Sequence, residues 1–161
     1  MIYILRHQEG SRSSNCLSRI GIRHCRDIYS RLRYKDVDVY TCYPDEHGKH
    51  VRPIQTASIL CTYMNKSLQI IDLNHLPDNQ YNHCVIIWHH KDIPTIIKHY
   101  TKQDFEWDER NYSGCIMIDD NQRLVYDPVY FSNHSLNCFF TVKYSWGDLF
   151  PNQQKMFSIK T

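Results

Sequence analysis

The sequence is poor in the residues and motifs that mark several common protein classes. Only five glycines and a single alanine, Ala57, occur among its 161 residues. The glycine-rich motifs GxxxxGK[ST], GxGxxG and GxSxG are absent, which removes the commonest signatures of nucleotide-binding and hydrolase loops. No stretch approaches the roughly 18 apolar residues of a membrane span, and the N-terminal MIYILRH lacks the longer apolar core of a signal peptide. We therefore expect no leader, no membrane anchor and no membrane partner.

Paired cysteine motifs are also missing. Seven cysteines are spread through the chain without a CxxC pair, and an odd number in this arrangement argues against both a disulfide framework and a zinc ribbon. Most of the cysteines lie within apolar stretches, where a thiol packs as a small hydrophobic group. This usage predicts a reducing, cytoplasmic compartment.

The chain has no strong excess of charge of either sign. Nineteen lysines and arginines stand against 17 acidic residues, a formal net charge of +2. No run of basic residues alternates with aromatic residues in the sequence, so nucleic acid is not a predicted partner. The length is typical of one domain, and 13% aromatic residues favour a packed core over disorder. We expect one domain over residues 1–161.

Apolar runs and helical periodicity alternate along the chain. Continuous apolar or β-branched runs predict strands at Met1–Leu5, Val37–Cys42, Leu68–Leu73 and Cys84–Trp88. Three- and four-residue apolar spacing predicts helices at Leu17–Leu32, which Ser18 would cap, at Ile54–Met64 after Pro53, and at Ile93–Tyr100. A polar turn between Cys115–Ile118 and Arg123–Tyr126 predicts a hairpin, and Asn137–Tyr144 predicts a last strand. This order is typical of a layered α/β sheet.

Charged and imidazole side chains follow two of the predicted buried strands. Arg6 and His7 end the first strand, His89 follows Cys84–Trp88, and Arg52 precedes a helix that begins near a proline. Ligands of open α/β sheets bind beyond the carboxyl ends of the strands. Arginine forks match phosphoryl oxygens, one neutral imidazole can attack phosphorus, and a second can stabilise the transferred group. The pattern predicts phosphoryl-transfer chemistry.

A second phosphatase pattern is present in the sequence. The string from His24 to Arg31 matches HCx5R, the motif of cysteine-dependent phosphatases. That chemistry needs a tight loop around a thiolate, yet the five intervening residues include no glycine. The same residues continue the helical period that begins at Leu17, which places Cys25 on its apolar stripe. We interpret the segment as a helix.

Metal binding is the other alternative, because the sequence has ten histidines. Two pairs of residues are candidate metal ligands: His47 with His50, and His83 with Cys84. Neither pair has a matching second pair at a recognised spacing. We predict no metal and no cofactor.

Four segments resemble, in the same order, the motifs of one known family. Ile4 to Glu9 (ILRHQE) is similar to its RHG motif, and Leu17 to His24 (LSRIGIRH) is similar to its helix start L-T-x-x-G-x-x-Q. Val39–Cys42 followed by Arg52–Ala57 (RPIQTA) is similar to its strand, loop and R-A-x-Q-T-A helix. Val85–His90 (VIIWHH) falls where the family has V-x-V-S-H-G. The sequence thus resembles the histidine phosphatase superfamily, also called the phosphoglycerate mutase-like family.

This resemblance implies a fold and a role for each matched residue. The fold is a three-layer α/β/α sandwich with a mostly parallel central sheet. His7 is the implied nucleophile, which forms a phosphohistidine, and His89 completes the pocket. Arg6 and Arg52 are implied to bind the phosphoryl oxygens, and Arg12 is a candidate third cation.

The family's general acid is a carboxylate, commonly in a stretch that reads L-x-E. Leu76-Pro77-Asp78 occupies that place in this sequence, so Asp78 is the candidate proton donor to the leaving group. Glu9 and Asp92 are the alternatives.

The predicted function is hydrolysis of a phosphomonoester or a phosphoprotein through a phosphohistidine on His7. The partner is then a phosphorylated small molecule or protein, and arginines supply the positive charge in place of a metal. Gln8 and His90 stand where the family has glycine, and glycine permits backbone angles that other residues resist. The alternative is therefore an inactive relative that binds phosphate or phosphopeptides, or has a structural role.

Overall fold

The computed structural model describes residues 1–44, 51–78, 83–107, 109, 112 and 114–126. The strands in this part of the chain are β1 (Ile2–Arg6), β2 (Asp38–Cys42), β3 (Leu68–Ile71), β4 (Cys84–Trp88), β5 (Cys115–Ile118) and β6 (Leu124–Tyr126). The helices are α1 (Arg19–Leu32), α2 (Val51–Met64) and α3 (Ile93–Thr101). No described helix is long and apolar enough to cross a membrane. The predicted strand Asn137–Tyr144 and the pair His47 and His50 lie outside the described residues.

All six strands belong to one sheet, in the order β3-β2-β4-β1-β5-β6. β3, β2, β4 and β1 run parallel to one another, β5 pairs antiparallel with β1, and β6 pairs antiparallel with β5. The continuous burial of β1 and β4 explains their unbroken apolar sequences, since both faces of a central parallel strand are covered. The α/β class with a mostly parallel sheet is confirmed.

Two hydrophobic cores cover the two faces of the sheet. On one face Tyr3 and Leu5 of β1 pack with buried residues of α1 and α2, such as Ile28 and Leu60. On the other face the alternate residues of β1, Ile2 and Ile4, share a core with the buried isoleucines of α3. Alternation of side chains along a strand produces this division. The three-layer arrangement is confirmed.

Local capping sets two of the boundaries. Ser18 caps α1 as expected, and its hydroxyl oxygen accepts a hydrogen bond from the Gly21 amide at 3.0 Å. β3 ends at Ile71, two residues before the predicted end, because the Asp72 carboxylate accepts from the Asn74 amide at 2.8 Å and starts a short 3-10 helix. α2 begins before the proline at its third position, which the first turn tolerates.

The carboxyl ends of β1 and β4 meet at one edge of the sheet, which we call the crevice. These strands are parallel neighbours, with Arg6 opposite Trp88. The chain leaves β1 toward α1 on one face and leaves β4 toward α3 on the opposite face. Such a divergence between adjacent strands is where open α/β sheets bind ligands. The residues directly after both strands therefore face a common site.

Candidate active site

Pairing between β1 and β4 brings two histidines together. His7 and His89 are the first residues after these strands, and the His7 amide donates to the Trp88 carbonyl at 3.1 Å. Their ring centroids lie 5.7 Å apart. Residues separated by more than 80 positions in the sequence thus share one crevice, as the strand ends predicted.

His7 is held as a neutral imidazole. Its side chain lies within 2.9 Å of the Gln8 carbonyl through Nδ1, and because a carbonyl only accepts, Nδ1 carries the hydrogen and Nε2 has the lone pair. Burial lowers the pKa of His7 from 6.5 to about 3, and the positive charge of Arg6 adds to this effect. A neutral ring with a fixed tautomer is what nucleophilic attack requires.

Arg6 lies beside His7 and is only 4% exposed. Its guanidinium carbon lies 3.8 Å from the centre of the Tyr112 ring, and the guanidinium donates to the Glu109 carbonyl. Burial lowers the pKa of Arg6 from its ordinary value, but a guanidinium stays charged at neutral pH. Its Nε is buried without a hydrogen-bond partner among the described residues. The side chain is anchored at one edge and keeps a donor for a ligand.

Arg52 reaches the site from the first turn of α2. Its Nη2 donates to the carbonyls of Ser11 and Ser14, both at 3.1 Å, so the loop after β1 holds the guanidinium. Its charge contributes to the low pKa of His7. Gly10 makes this position possible, because a Cβ at residue 10 would lie 2.0 Å from the Arg52 guanidinium carbon.

Gln8 is tied to the protein's own backbone. Its amide donates to Thr56 Oγ1 at 3.1 Å, and its side-chain nitrogen donates to the Arg6 carbonyl at 3.2 Å. Thr56 in turn donates to the Arg52 carbonyl at 2.9 Å. The residue that stands in place of the family's glycine therefore links the His7 loop to the first turn of α2.

His90 adds a third imidazole to the pair formed by His7 and His89. In the sequence this residue stood out only because the family has glycine there. The ring centroids of His89 and His90 lie 4.3 Å apart, and His90 Nε2 lies 3.5 Å from a carboxylate oxygen of Glu109. Tyr112 approaches from the other side, with its ring centre 5.8 Å from that of His7. No sequence signal pointed to Glu109 or Tyr112, because their contacts depend on the path of the chain after α3.

The structure does not bring Asp78 to this cluster. Asp78 is exposed and lines a surface cavity with Tyr100, Lys102 and Gln122. Gln122 belongs to the β5–β6 turn, whose Asp120 pairs with the N-terminal ammonium at 2.6 Å, so this cavity lies where β1 begins. At about 3.3 Å per residue, the extended chain from Met1 to His7 places this end roughly 20 Å from His7. An acid at Asp78 is too distant to protonate a group held at His7.

The other expected residues are placed differently. Arg12 is exposed on the loop after β1, and no contact joins it to the histidines in the described structure. Glu9 is occupied with Ser18, whose amide and hydroxyl donate to its carbonyl and carboxylate at 2.9 and 3.3 Å. Asp92 accepts from the Trp88 indole at 3.2 Å. Glu9 and Asp92 thus have structural bonds in this arrangement.

The cysteine motif forms no phosphate loop. Cys25 is fully buried in α1, and its thiol donates to the Gly21 carbonyl at 3.3 Å. Burial raises the pKa of Cys25 to about 12, so the thiolate that such chemistry requires is not formed at neutral pH. The helical interpretation of this segment is confirmed.

Comparison with known proteins gives structural relatives only. No protein-family model matches the sequence, and no curated protein matches it. The structure is similar to that of the protein histidine phosphatase SixA complexed with tungstate, at a TM-score of 0.54 and 12% identity, over 78% of this chain and 93% of that one. Phosphoglycerate mutase from Plasmodium falciparum matches at a TM-score of 0.46 and 16% identity, over 78% of this chain and 87% of that one. The mycobacterial glucosyl-3-phosphoglycerate phosphatase matches at a TM-score of 0.46 and 13% identity, over 78% of this chain and 96% of that one.

The similarity to SixA covers most of both chains and agrees with the resemblance in the sequence. At 12% identity it concerns the fold, because one fold hosts many functions and sites are argued from their own residues. The mostly parallel sheet and its covering helices agree with that architecture. The chain therefore has the phosphoglycerate mutase-like fold of the histidine phosphatases.

Proposed function

We propose that this protein is a phosphatase that hydrolyses a phosphomonoester or a phosphoprotein through a phosphohistidine on His7. The observation that supports it best is that His7 and His89 lie with ring centroids 5.7 Å apart and have different hydrogen-bond partners. His7 carries its hydrogen on Nδ1, whereas His89 Nδ1 accepts from the Lys91 amide at 3.4 Å. A neutral His89 therefore carries its hydrogen on Nε2. One ring offers a lone pair to phosphorus and its neighbour offers a donor to a phosphoryl oxygen.

In the first step His7 Nε2 attacks phosphorus. A nitrogen–phosphorus bond forms, the bond from phosphorus to the leaving oxygen breaks, and that oxygen leaves with the electron pair. Arg6 and Arg52 neutralise the charge on the transferred group, which removes the need for a metal in this step. Preorganised donors of this kind each contribute about 100- to 1,000-fold to such rates.

The leaving oxygen also takes up a proton. Glu109 is the described carboxylate that contacts the histidine cluster, through His90 at 3.5 Å. We assign proton donation to this Glu109–His90 pair in place of Asp78. In the second step water attacks the phosphohistidine and gives its proton back to the Glu109–His90 pair. The nitrogen–phosphorus bond breaks, its electron pair returns to His7 Nε2, and inorganic phosphate leaves.

The alternative is a relative that binds phosphate without turnover. This alternative is suggested by Gln8 and His90, whose side chains are large and stand where the family has glycine. The bond from the Gln8 side chain to the Arg6 carbonyl holds that amide against the backbone, and His90 is drawn toward Glu109.

The phosphoenzyme provides a direct test. Rapid acid-free quenching of the protein with a ³²P-labelled aryl phosphate should trap one labelled histidine per chain. A phosphoramidate is labile in acid and stable in alkali, so the label should be lost at low pH and retained at high pH, and His7→Ala should carry none. An acid-stable adduct would contradict the proposal, and phosphate binding without any adduct or turnover would support the non-catalytic alternative.

A basic stripe on α1 favours a phosphoprotein as the substrate. Arg19, Arg23 and Arg26 follow one another at four- and three-residue intervals, and all three are exposed. Such spacing places side chains on one face of a helix. Within the described part of the chain none of them forms an ion pair. The stripe begins beside Ser18, whose hydroxyl donates to the Glu9 carboxylate in the loop after His7. An acidic protein surface bound at the site would therefore lie along the stripe.

Charge reversal tests this surface. For the double variant Arg23→Glu/Arg26→Glu we expect kcat/KM for a phosphopeptide with acidic flanking residues to fall about 10-fold at low salt, because surface charge steers association. The effect should vanish near 0.5 M salt, where charges are screened. p-Nitrophenyl phosphate should be hydrolysed within about twofold of the wild-type rate, since this small substrate lacks the acidic flank. The control Lys98→Glu/Lys102→Glu reverses one charge on α3 and one directly after it, and an equal loss in that variant would argue against a specific surface.

A further inference from the structure

We propose that His7, His89 and His90 form a binding site for a divalent transition metal such as Zn²⁺, and that the bound metal inhibits the phosphatase. One candidate donor atom from each histidine lies within 4.8 Å of the other two. Imidazole nitrogen is a preferred zinc ligand, and three protein ligands with an open fourth position form a common type of zinc site. The binding stands on this geometry alone, whereas the inhibition rests on the proposed function.

The backbone places the three rings with little freedom to separate. His89 and His90 are consecutive residues after β4, with ring centroids 4.3 Å apart. His7 is fixed beside them by the pairing of β1 with β4. Zinc–nitrogen bonds of 2.0–2.1 Å in a tetrahedron require nitrogens about 3.3 Å apart. Ring rotations that shorten the separations by about 1.5 Å therefore complete the site, and no change of the sheet is needed.

His90 supplies the third ligand of the proposed metal site, at a position where the family has glycine. It is a half-buried side chain, and both of its ring nitrogens are buried without a hydrogen-bond partner in the described structure. The 3.5 Å separation from Glu109 exceeds the length of a good hydrogen bond. Buried polar atoms without partners are uncommon and call for a ligand or a function. A metal would satisfy one of these nitrogens.

The neighbouring contacts suit coordination by the other two rings. His7 donates Nδ1–H to the Gln8 carbonyl at 2.9 Å, the outer contact that commonly orients a metal-bound histidine. The Lys91 amide donates to His89 Nδ1 at the long distance of 3.4 Å, so this bond opposes only weakly a change of tautomer that presents Nε2 to a metal. Arg6 and Arg52 oppose the added positive charge. We therefore expect a zinc site weaker than a structural one, with an anion in the open position.

Occupancy would stop catalysis for a simple chemical reason. The lone pair of His7 Nε2 cannot bond to phosphorus while it is donated to a metal. The proton of His89 that binds the phosphoryl oxygen is also displaced. Because His90 stands where the family has glycine, the activity proposed for this site would be sensitive to a bound metal.

Zinc binding is measured on four proteins, and inhibition is measured on the three of them that keep His7. The four proteins are the full-length chain, His90→Ala, the control His99→Ala, and His7→Ala, all in a Cys16→Ser background that removes an exposed thiol. His99 is an exposed histidine on α3 and leaves the cluster intact. After treatment with EDTA and buffer exchange, Zn²⁺ is titrated by calorimetry, and hydrolysis of p-nitrophenyl phosphate is followed at each zinc concentration relative to the same protein without zinc.

We expect one Zn²⁺ per chain in the parent and in His99→Ala. His90→Ala and His7→Ala should bind at least about 30-fold more weakly, since each loses one of three ligands. The zinc concentration that halves the rate should rise by the same factor in His90→Ala. Equal zinc affinity in His90→Ala and His99→Ala would overturn the site, and activation by zinc would overturn the inhibition. Zinc binding with the expected ranking in a protein that shows no hydrolysis would support the site and contradict the proposed function.

Discussion

His7→Ala is expected to lower the hydrolysis of p-nitrophenyl phosphate by at least about 1,000-fold, to the background of the assay. Removal of the imidazole takes away the only group proposed to bond to phosphorus, and the arginines then bind a substrate that no neighbouring atom attacks. The measurement is kcat from initial rates of purified protein. Circular dichroism should show an unchanged fold, because His7 lies after β1 and outside both apolar cores.

Cys25→Ser is the matched control for that variant. The serine hydroxyl can donate to the Gly21 carbonyl as the thiol does at 3.3 Å, and the thiol has no proposed role in the reaction. We expect kcat within about threefold of the wild-type value at a temperature where both proteins are folded, with a loss of stability of about 1–3 kcal/mol for a hydroxyl in the core. Loss of activity in Cys25→Ser with retention in His7→Ala would restore the cysteine mechanism.

Gly10→Ala is expected to lower kcat/KM about 100-fold although residue 10 bears no reactive group. A Cβ would stand 2.0 Å from the Arg52 guanidinium carbon and 2.1 Å from its Nε, so the long side chain must leave its position. The bonds from Arg52 to the Ser11 and Ser14 carbonyls are then lost with it. Because a flexible side-chain end moves more easily than backbone, we expect the melting temperature to fall by no more than about 4 °C.

A double-mutant cycle separates this effect from general damage to the loop. Arg52→Ala should lose activity to the same extent as Gly10→Ala, and the double variant should lose no more than either single variant. Additive losses would mean that Gly10 acts independently of Arg52. Wild-type activity in Gly10→Ala would show that the position of Arg52 in the crevice is not required.

Much of the fold follows from local patterns. The unbroken apolar runs of β1 and β4 predicted central parallel strands, and the spacing from Leu17 predicted α1 together with its Ser18 cap. The same spacing correctly separated the buried Cys25 from a phosphatase loop. These predictions succeeded because periodicity reports which face of an element is buried, and burial is set by residues close together in the chain.

The proposed proton donor and the third imidazole could not be recognised in this way. Asp78 was assigned from its order in the chain, but its segment turns toward the beginning of β1, where it lines a cavity with Gln122. His90 and Glu109 meet although nothing in their local sequences specifies the contact. Tyr112 lies over Arg6, more than 100 residues away. Such contacts depend on how irregular segments pack, and no periodic pattern encodes that packing.

From the residues alone came the layered α/β class and the expectation that Arg6, His7, Arg52 and His89 act on a phosphoryl group. Their type and their positions at the ends of predicted elements carried that expectation. The tertiary structure decided which side chains come into contact. It places His7 beside His89, the Arg52 guanidinium against Gly10, and His90 in contact with both His89 and Glu109. Parallel strands joined through helices place residues distant in sequence at one edge of the sheet. Chemistry at that edge depends on separations of a few ångströms between side chains, which the order of strands sets and the spacing of residues along the chain does not.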